Sequence, residues 1–133
     1  MKKNNRKGFT IVELVIVIAV IAILATVLVP TFGNVIEKAN ASKNLQAARN
    51  ELTNYMVDNA ASGNDDLIIK VADDVYYVVI NGNLQETSYT TMTAVEGDNN
   101  DALDAFGTLP TGKTAWVATA VTDNANVWTV SAN

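Results

Sequence analysis

A long apolar stretch lies near the start of the chain. It runs for 21 residues from Phe9 to Val29, and Glu13 is the only charged residue within it. A helix of about 20 mostly apolar residues is long enough to cross the hydrocarbon core of a bilayer. The pattern therefore predicts a membrane-spanning helix over residues 9–29.

A second helical pattern follows this stretch. Apolar residues recur at spacings of three and four, as they do on one face of an amphipathic helix. Pro30 and Gly33 stand between the two patterns, and a proline inside a helix lacks an amide donor and kinks or breaks the helix. Because the periodicity continues past both residues, we predict one helix over 9–59, with residues 30–61 as its amphipathic continuation.

The second half of the chain has the alternation and the turn residues of β-strands. Asn81-Gly82 is a pair typical of two-residue hairpin turns. The predicted strands are 67–72, 75–80, 84–90, 114–121 and 127–132, with a short helical turn within 101–106. The sequence thus predicts an α+β fold, in which the long N-terminal helix packs on a small antiparallel sheet and residues 62–133 form a β-rich head.

The last predicted hairpin has a preferred register. In this register the residue numbers of each pair add up to 248, and most apolar residues of the two strands lie on one face. A shift of one residue would distribute these apolar residues over both faces. The shared face carries Trp116, Ala118, Ala120, Trp128, Val130 and Ala132. The other face pairs Val121 with Val127. We predict that the tryptophan face turns toward the amphipathic helix, with Trp116 and Trp128 as core anchors; a ligand-stacking pair is the alternative.

Charge is distributed in blocks along the chain. The first eight residues carry four bases and no acid, whereas residues 59–133 carry ten acids and two bases, within a net charge of −5. Basic residues before an apolar span favour a cytoplasmic N-terminus. We therefore predict a single-pass membrane protein with its acidic head outside. An acidic body lacks the basic face that phosphate binding requires, so no nucleic-acid partner is predicted for it.

The composition excludes several kinds of chemistry. The chain has no cysteine and no histidine, which excludes disulfides, thiolate or imidazole metal sites and a Ser-His-Asp triad. No catalytic set converges, so we predict a protein that is not an enzyme and needs no cofactor. The acids Glu96, Asp98, Asp101 and Asp104 are a weak calcium candidate, although their spacing is not that of an EF-hand loop. An acidic, soluble outer surface is the alternative.

Two simpler interpretations compete for the N-terminus. An ordinary secretory signal has an apolar region of about 7–15 residues, which is shorter than the stretch seen here. A plain membrane anchor explains the hydrophobicity but not Glu13, because a carboxylate within a membrane span costs a few kcal/mol and usually has a partner or a function. A single glutamate near the end of a span can also extend its carboxylate to the interface.

The string Gly8-Phe9-Thr10-Ile11-Val12-Glu13-Leu14 lies between a short basic leader and the apolar stretch. In this order and position it resembles the class III signal of type IV pilins and their pseudopilin relatives. The resemblance implies that a membrane peptidase removes the leader 1–8 by cutting after Gly8 and N-methylates the new N-terminal Phe9. It also implies that Glu13 pairs with the N-terminal amine of a neighbouring subunit during assembly.

The same resemblance implies a function and a set of partners. The chain would be a structural subunit of a type IV pilus for adhesion, motility or DNA uptake, with a helix that breaks near Pro30 and Gly33 in the filament. Its partners would be identical or homologous subunits, the prepilin peptidase and N-methyltransferase, membrane lipid before assembly and, indirectly, an assembly ATPase and a membrane platform protein. The final location would be an extracellular filament. A pseudopilin of a type II secretion or competence system is the near alternative, and a single-span receptor with an outer β domain is an alternative of a different class.

Overall fold

A computed structural model describes residues 7–61, 63, 65–92 and 102–133 of the chain. Helix α1 spans Ile11–Asp58, which confirms the predicted helix to within two residues at either end. It continues through Pro30 and Gly33, as the periodicity predicted, and a break at these two residues stays a prediction for the assembled filament. The chain divides into two compact units, Met1–Asn40 and Ala41–Asn133.

The first unit contains an apolar helical stretch with all its side chains exposed. Every residue from Ile11 to Val29 is exposed, and an 18-residue window of α1 has a mean hydropathy of 3.1. By length and composition, α1 is able to cross a membrane. An exposed apolar surface of this size marks a membrane-interaction or protein-interaction site.

The second unit contains a five-stranded antiparallel sheet. Its strands are β1 (Leu67–Ala72), β2 (Val75–Ile80), β3 (Asn83–Tyr89), β4 (Trp116–Val121) and β5 (Asn124–Ala132), in the order β3-β2-β1-β5-β4. A short 3₁₀ turn, Asp104–Phe106, lies within the predicted helical turn. The predicted α+β class is confirmed, and the bounds of β1 and β2 are those that the sequence predicts.

The predicted hairpin turn between β2 and β3 is also confirmed. Asn81 and Gly82 have φ values of 50° and 78°, and Ile80 pairs directly with Asn83 across a two-residue loop. Two successive positive φ values define a type I′ turn, and asparagine and glycine tolerate them best. The turn therefore sets the two pairs beside it, Ile80 with Asn83 and Val79 with Leu84, before the register shifts between Val79 and Tyr77.

The sheet is apolar on both faces, and each face has its own core. The first core contains Tyr55, Leu67, Ile69, Val79 and Val127, with Leu52 packed against it, so this face lies against the C-terminal part of α1. The second core contains Ile68, Val78, Ala102, Leu103 and Val130, with the partly buried Trp116 and Trp128 packed against it. The prediction that the tryptophan face turns toward the helix is therefore wrong. Alternation identified the residues that share a face, but both faces are apolar, and the segment around the 3₁₀ turn covers the second one.

The register of the last hairpin agrees with the prediction over most of its length. Five pairs from Trp116 with Ala132 to Ala120 with Trp128 have numbers that sum to 248. The predicted pair of Val121 with Val127 is wrong, because Val121 pairs with Asn124 after an irregularity. The turn holds only two residues, and Val127 instead pairs with Ile69 of β1, where it is fully buried.

Candidate functional site

The side chain of Glu13 is part of a reciprocal cap at the start of α1. The Thr10 amide donates to Glu13 Oε2 at 3.0 Å, and the Glu13 amide donates to Thr10 Oγ1 at 3.3 Å. This is the capping-box arrangement, in which a Thr at the N-cap and a Glu three residues later satisfy each other's free amides. This cap is not among the sequence-based predictions, although its signal, Thr-x-x-Glu before an apolar run, is present in the chain.

The cap gives the carboxylate two local sources of stabilisation. A helix N-terminus carries a partial positive charge, which stabilises a nearby anion by about 0.3–1 kcal/mol. The hydrogen bond from the Thr10 amide adds to this. Phe9, Leu14, Ile16 and Val17 line an open apolar groove that also includes Glu13. A charged group is thus fixed in place beside an apolar surface that is fully exposed.

Gly8 lies just before this cap, at the predicted cleavage point. It is exposed, and a Cβ added to it would meet no atom within 4 Å. Its φ is not in the left-handed region that favours glycine. The fold of the chain therefore gives no reason for a glycine at this position, and an external requirement is left to explain it. The first six residues of the leader lie outside the described residues.

Gly33 and Pro30 are likewise not required by the described fold. A Cβ at Gly33 would meet no atom within 4 Å, although a glycine inside a helix costs about 1 kcal/mol relative to alanine. Pro30 removes one backbone hydrogen bond of α1. On either side of it, Thr26 Oγ1 donates to the Ile23 carbonyl at 2.6 Å and Thr31 Oγ1 donates to the Val27 carbonyl at 3.0 Å. The helix is intrinsically weakened at this point.

The two tryptophans do not stack on each other. The Trp116 ring lies 5.7 Å from the Phe106 ring, and its indole nitrogen donates to the Gly107 carbonyl at 2.9 Å. The Trp128 ring lies 6.4 Å from that of Tyr76. Both side chains are partly buried against the second core, on the face away from α1. Their placement is that of ring pairs within the head rather than a single two-tryptophan platform.

The calcium candidate falls mostly outside the described residues. Glu96, Asp98 and Asp101 lie there, and Asp104 is exposed at the start of the 3₁₀ turn. Within the described ranges, no group of three or more Asp or Glu residues is arranged to hold a metal ion.

A polar contact that sequence reasoning missed joins α1 to the sheet within the second unit. The Asn124 side chain donates to Glu51 Oε2 at 3.1 Å, across 73 positions of the chain. Arg49 and Glu86 also approach to 3.8 Å, but both are well exposed, so this ion pair contributes little. No local pattern could have identified either contact, because each depends on how the strands are placed beside the helix.

The capped apolar helix that follows Gly8 belongs to a known class of N-terminal segment. Residues 3–29 match the family described as the prokaryotic N-terminal methylation motif. The relatives that match are pilins and a pseudopilin. The type IV major fimbrial protein FimA of Dichelobacter nodosus is 44% identical over 41 residues, which are 31% of this chain and 26% of the relative.

Two further relatives extend the comparison. The type IV wide pilus major component PilA4 of Thermus thermophilus is 57% identical over 37 residues, or 28% of each chain. The type II secretion system core protein G of Aeromonas hydrophila is 37% identical over 62 residues, or 44% of this chain and 43% of the relative. The chain thus spans about a quarter of the length of the pilins it matches. No solved structure matches it. The resemblance to type IV pilins and pseudopilins is confirmed for the N-terminal segment.

Proposed function

We propose that this protein is a structural subunit of a type IV pilus, inserted in the membrane as a prepilin and polymerised through α1. The observation that carries the proposal is the capped carboxylate of Glu13 on an apolar helix that is exposed from Ile11 to Val29. Such a helix needs lipid before assembly and apolar neighbours after it. The pilin relatives support the same assignment.

Processing after Gly8 is the first step of the proposed function. Gly8 is exposed next to the start of α1, where a peptidase can reach it, and the fold itself does not need a glycine there. Cleavage removes Lys2, Lys3, Arg6 and Lys7, so the net charge falls from −5 to −9. Phe9 becomes the new N-terminus, which the same enzyme N-methylates.

Assembly is the second step. The new α-amine of one subunit is a cation in an apolar filament core, where an isolated charge is strongly unfavourable. Glu13 of a neighbouring subunit supplies the matching anion. In the described chain Glu13 Oε2 accepts the Thr10 amide, and a carboxylate has two oxygens with several lone pairs. The cap and the intersubunit pair can therefore form at the same carboxylate.

The orientation follows from the same proposal. The N-terminus starts in the cytoplasm and the acidic head lies outside, as the basic leader favours. The peptidase, the assembly ATPase and the membrane platform act on the subunit as on a substrate, and the protein itself is not an enzyme. Before assembly the location is the membrane; afterwards it is an extracellular filament.

Intact-mass spectrometry of the membrane-bound and filament-bound protein tests the proposal. We expect the mass of residues 9–133 plus one methyl group, and we expect the processed form in sheared filaments visible by electron microscopy. A membrane protein that retains residues 1–8 would favour the single-span receptor instead.

A pseudopilin of a type II secretion or competence system is the second candidate. The match to core protein G favours it, because that alignment extends over 62 residues, against 41 and 37 for the two pilins. Both candidates share cleavage after Gly8. Deletion of the gene separates them, since loss of surface filaments with intact protein secretion supports the pilus, and the reverse supports the pseudopilus.

A further inference from the structure

The sheet is incompletely paired between β1 and β5. Their ladder contains three pairs and stops at Ile69 with Val127, although β1 continues to Ala72 and β5 already begins at Asn124. Beyond the last pair the two strands enclose an open cleft of about 630 Å³. β1 and the turn after it form one wall, and the first half of β5 forms the other.

Backbone groups of β1 are directed into this cleft. The Val130 amide donates to the Asp66 carbonyl at 2.9 Å, so the backbone of Asp66 points toward β5. Backbone direction alternates along a strand, and Lys70, four residues later, therefore also points its amide and carbonyl toward β5. The last pair, Ile69 with Val127, is of the non-hydrogen-bonded kind, so the Lys70 amide is used by the ladder bond to Asn126 that flanks this pair. The Asn126 amide donates instead to its neighbour Asn124 Oδ1 at 3.0 Å, which leaves the Lys70 carbonyl without a partner on β5. The cleft thus offers a hydrogen-bond acceptor of fixed direction.

The side chains that line the cleft combine an aromatic ring with polar groups. Trp128 is held by the Tyr76 ring, and its indole N–H has no partner among the described residues. The side-chain amide of Asn126 has no partner there either. Lys70 Nζ lies 3.5 Å from Asp73 Oδ1 and 5.9 Å from the centre of the Tyr76 ring. The lysine charge thus has an anionic neighbour, although the Asp73 side chain is fully exposed and this pair contributes little to stability.

These features specify the kind of ligand. Lys70 and Asn126 share one backbone bond and the next two residues on each strand share none, so the incompletely paired stretch is about 10 Å long at ~3.4 Å per residue. That length fits one or two pyranose rings and is short for an added β-strand, which usually has about five or six residues. A ring face, amide groups and a carboxylate suit a ligand with one apolar face and many hydroxyls. The lining has no net charge, and the exposed Asp74 and Asp123 disfavour anions nearby.

We propose that the cleft between β1 and β5 binds a neutral saccharide of one or two rings, with one ring against Trp128 and hydroxyls bonded to Asn126, Asp73 and the Lys70 carbonyl. This site is separate from the helix that drives the proposed polymerisation, so it stands or falls independently of that function.

The two indole N–H groups allow a sharp test on the full chain. The ¹⁵N-labelled protein is held in dodecylphosphocholine micelles, because a maltoside detergent would compete, and is titrated with maltose, cellobiose, lactose, chitobiose and mannobiose. We expect saturable displacement of the Trp128 indole signal by at least one disaccharide, and no displacement of the Trp116 signal, which serves as an internal control. W116F assigns the two signals.

Variants complete the test. N126A, at an exposed position, should weaken the binding at least tenfold, whereas N54A, an exposed asparagine on α1, should leave it unchanged. The proposal is overturned if none of the five sugars displaces the Trp128 signal, if both indole signals move together, or if N126A binds as tightly as the unaltered chain. Tighter binding of sialyllactose or of an extended peptide would also overturn it, because the cleft would then serve a different class of ligand.

Discussion

Replacing Glu13 separates the cap that its carboxylate forms within the chain from the intersubunit pair proposed for it. E13Q keeps a side-chain oxygen that can accept the Thr10 amide, and glutamine is a normal member of a capping box. It removes only the charge. E13A removes both the charge and the cap. The pair of variants therefore distinguishes a role within one chain from a role between chains.

The magnitudes of the two effects differ enough to be measured. Loss of the cap lowers the stability of the helix by about 0.5–2 kcal/mol. In the proposed prepilin, lipid also stabilises this helix, so the loss has a small effect. Loss of one partner of a buried ion pair costs about 3–5 kcal/mol, because the other charge is left unpaired. Each 1.4 kcal/mol changes an equilibrium constant tenfold. A loss of about 3–5 kcal/mol therefore lowers the equilibrium constant for adding one subunit by about two to more than three orders of magnitude. We expect E13Q to reduce filament yield almost as far as E13A does.

The assay compares two pools of protein by quantitative immunoblot: subunits in sheared filaments and subunits in the membrane. Intact mass of the membrane pool checks that both variants are still cleaved after Gly8, and circular dichroism checks that the helix persists. E13D is the matched control, since it keeps the charge on a shorter side chain. Wild-type filament yield from E13Q, with failure of E13A, would assign Glu13 to capping alone and refute the proposed intersubunit pair.

Three further predictions follow from the described residues. G8L should accumulate uncut precursor of unchanged fold, seen as a larger band on a gel, and normal cleavage would show that the peptidase does not require the glycine. I69A should destabilise the head by about 2–5 kcal/mol, because Ile69 is fully buried, and lower its melting temperature by at least about 8 °C, while V117A at an exposed edge should change little. Burial raises the pKa of the Tyr77 phenol. The head should therefore lose stability above about pH 10, where the unfolded phenol ionises first, and Y77F should reduce that loss in alkaline melts more than Y89F does.

The parts of the fold that depend on local pattern could be predicted from the sequence. The helix, β1, β2 and the turn at Asn81-Gly82 follow from periodicity and from the φ values that asparagine and glycine tolerate. The direction of the tryptophan face could not be predicted, since alternation shows which residues share a face but not which of two apolar faces meets the helix. The bulge at Val121 could not be predicted from local alternation either. Val127 pairs with Ile69 rather than with Val121, and Ile69 and Val127 are 58 positions apart in the chain.

The candidate site also has features with a local sequence signal and features without one. Gly8, Phe9 and Glu13 could be proposed as site residues because their motif is contiguous, and the cap at Thr10 was equally readable from its Thr-x-x-Glu signature. The cleft beside Trp128 had no such signal. It exists because β1 and β5 stop pairing before either strand ends, and that is decided by long-range packing of both strands with their other neighbours.

The cap at Thr10 also bears on how an acidic residue can be kept in the membrane before assembly. An uncompensated carboxylate there is unfavourable by a few kcal/mol. In the proposed prepilin, the Thr10 amide and the positive end of α1 offset part of that cost in the lipid. The offset is partial, since the cap supplies hydrogen bonds and a partial charge but no full cation. In the proposed filament, the α-amine of a neighbouring subunit relieves the rest of this cost. In the proposed function, a capped glutamate is thus tolerable in an isolated subunit and more stable in an assembled one, and this difference would give polymerisation a direction.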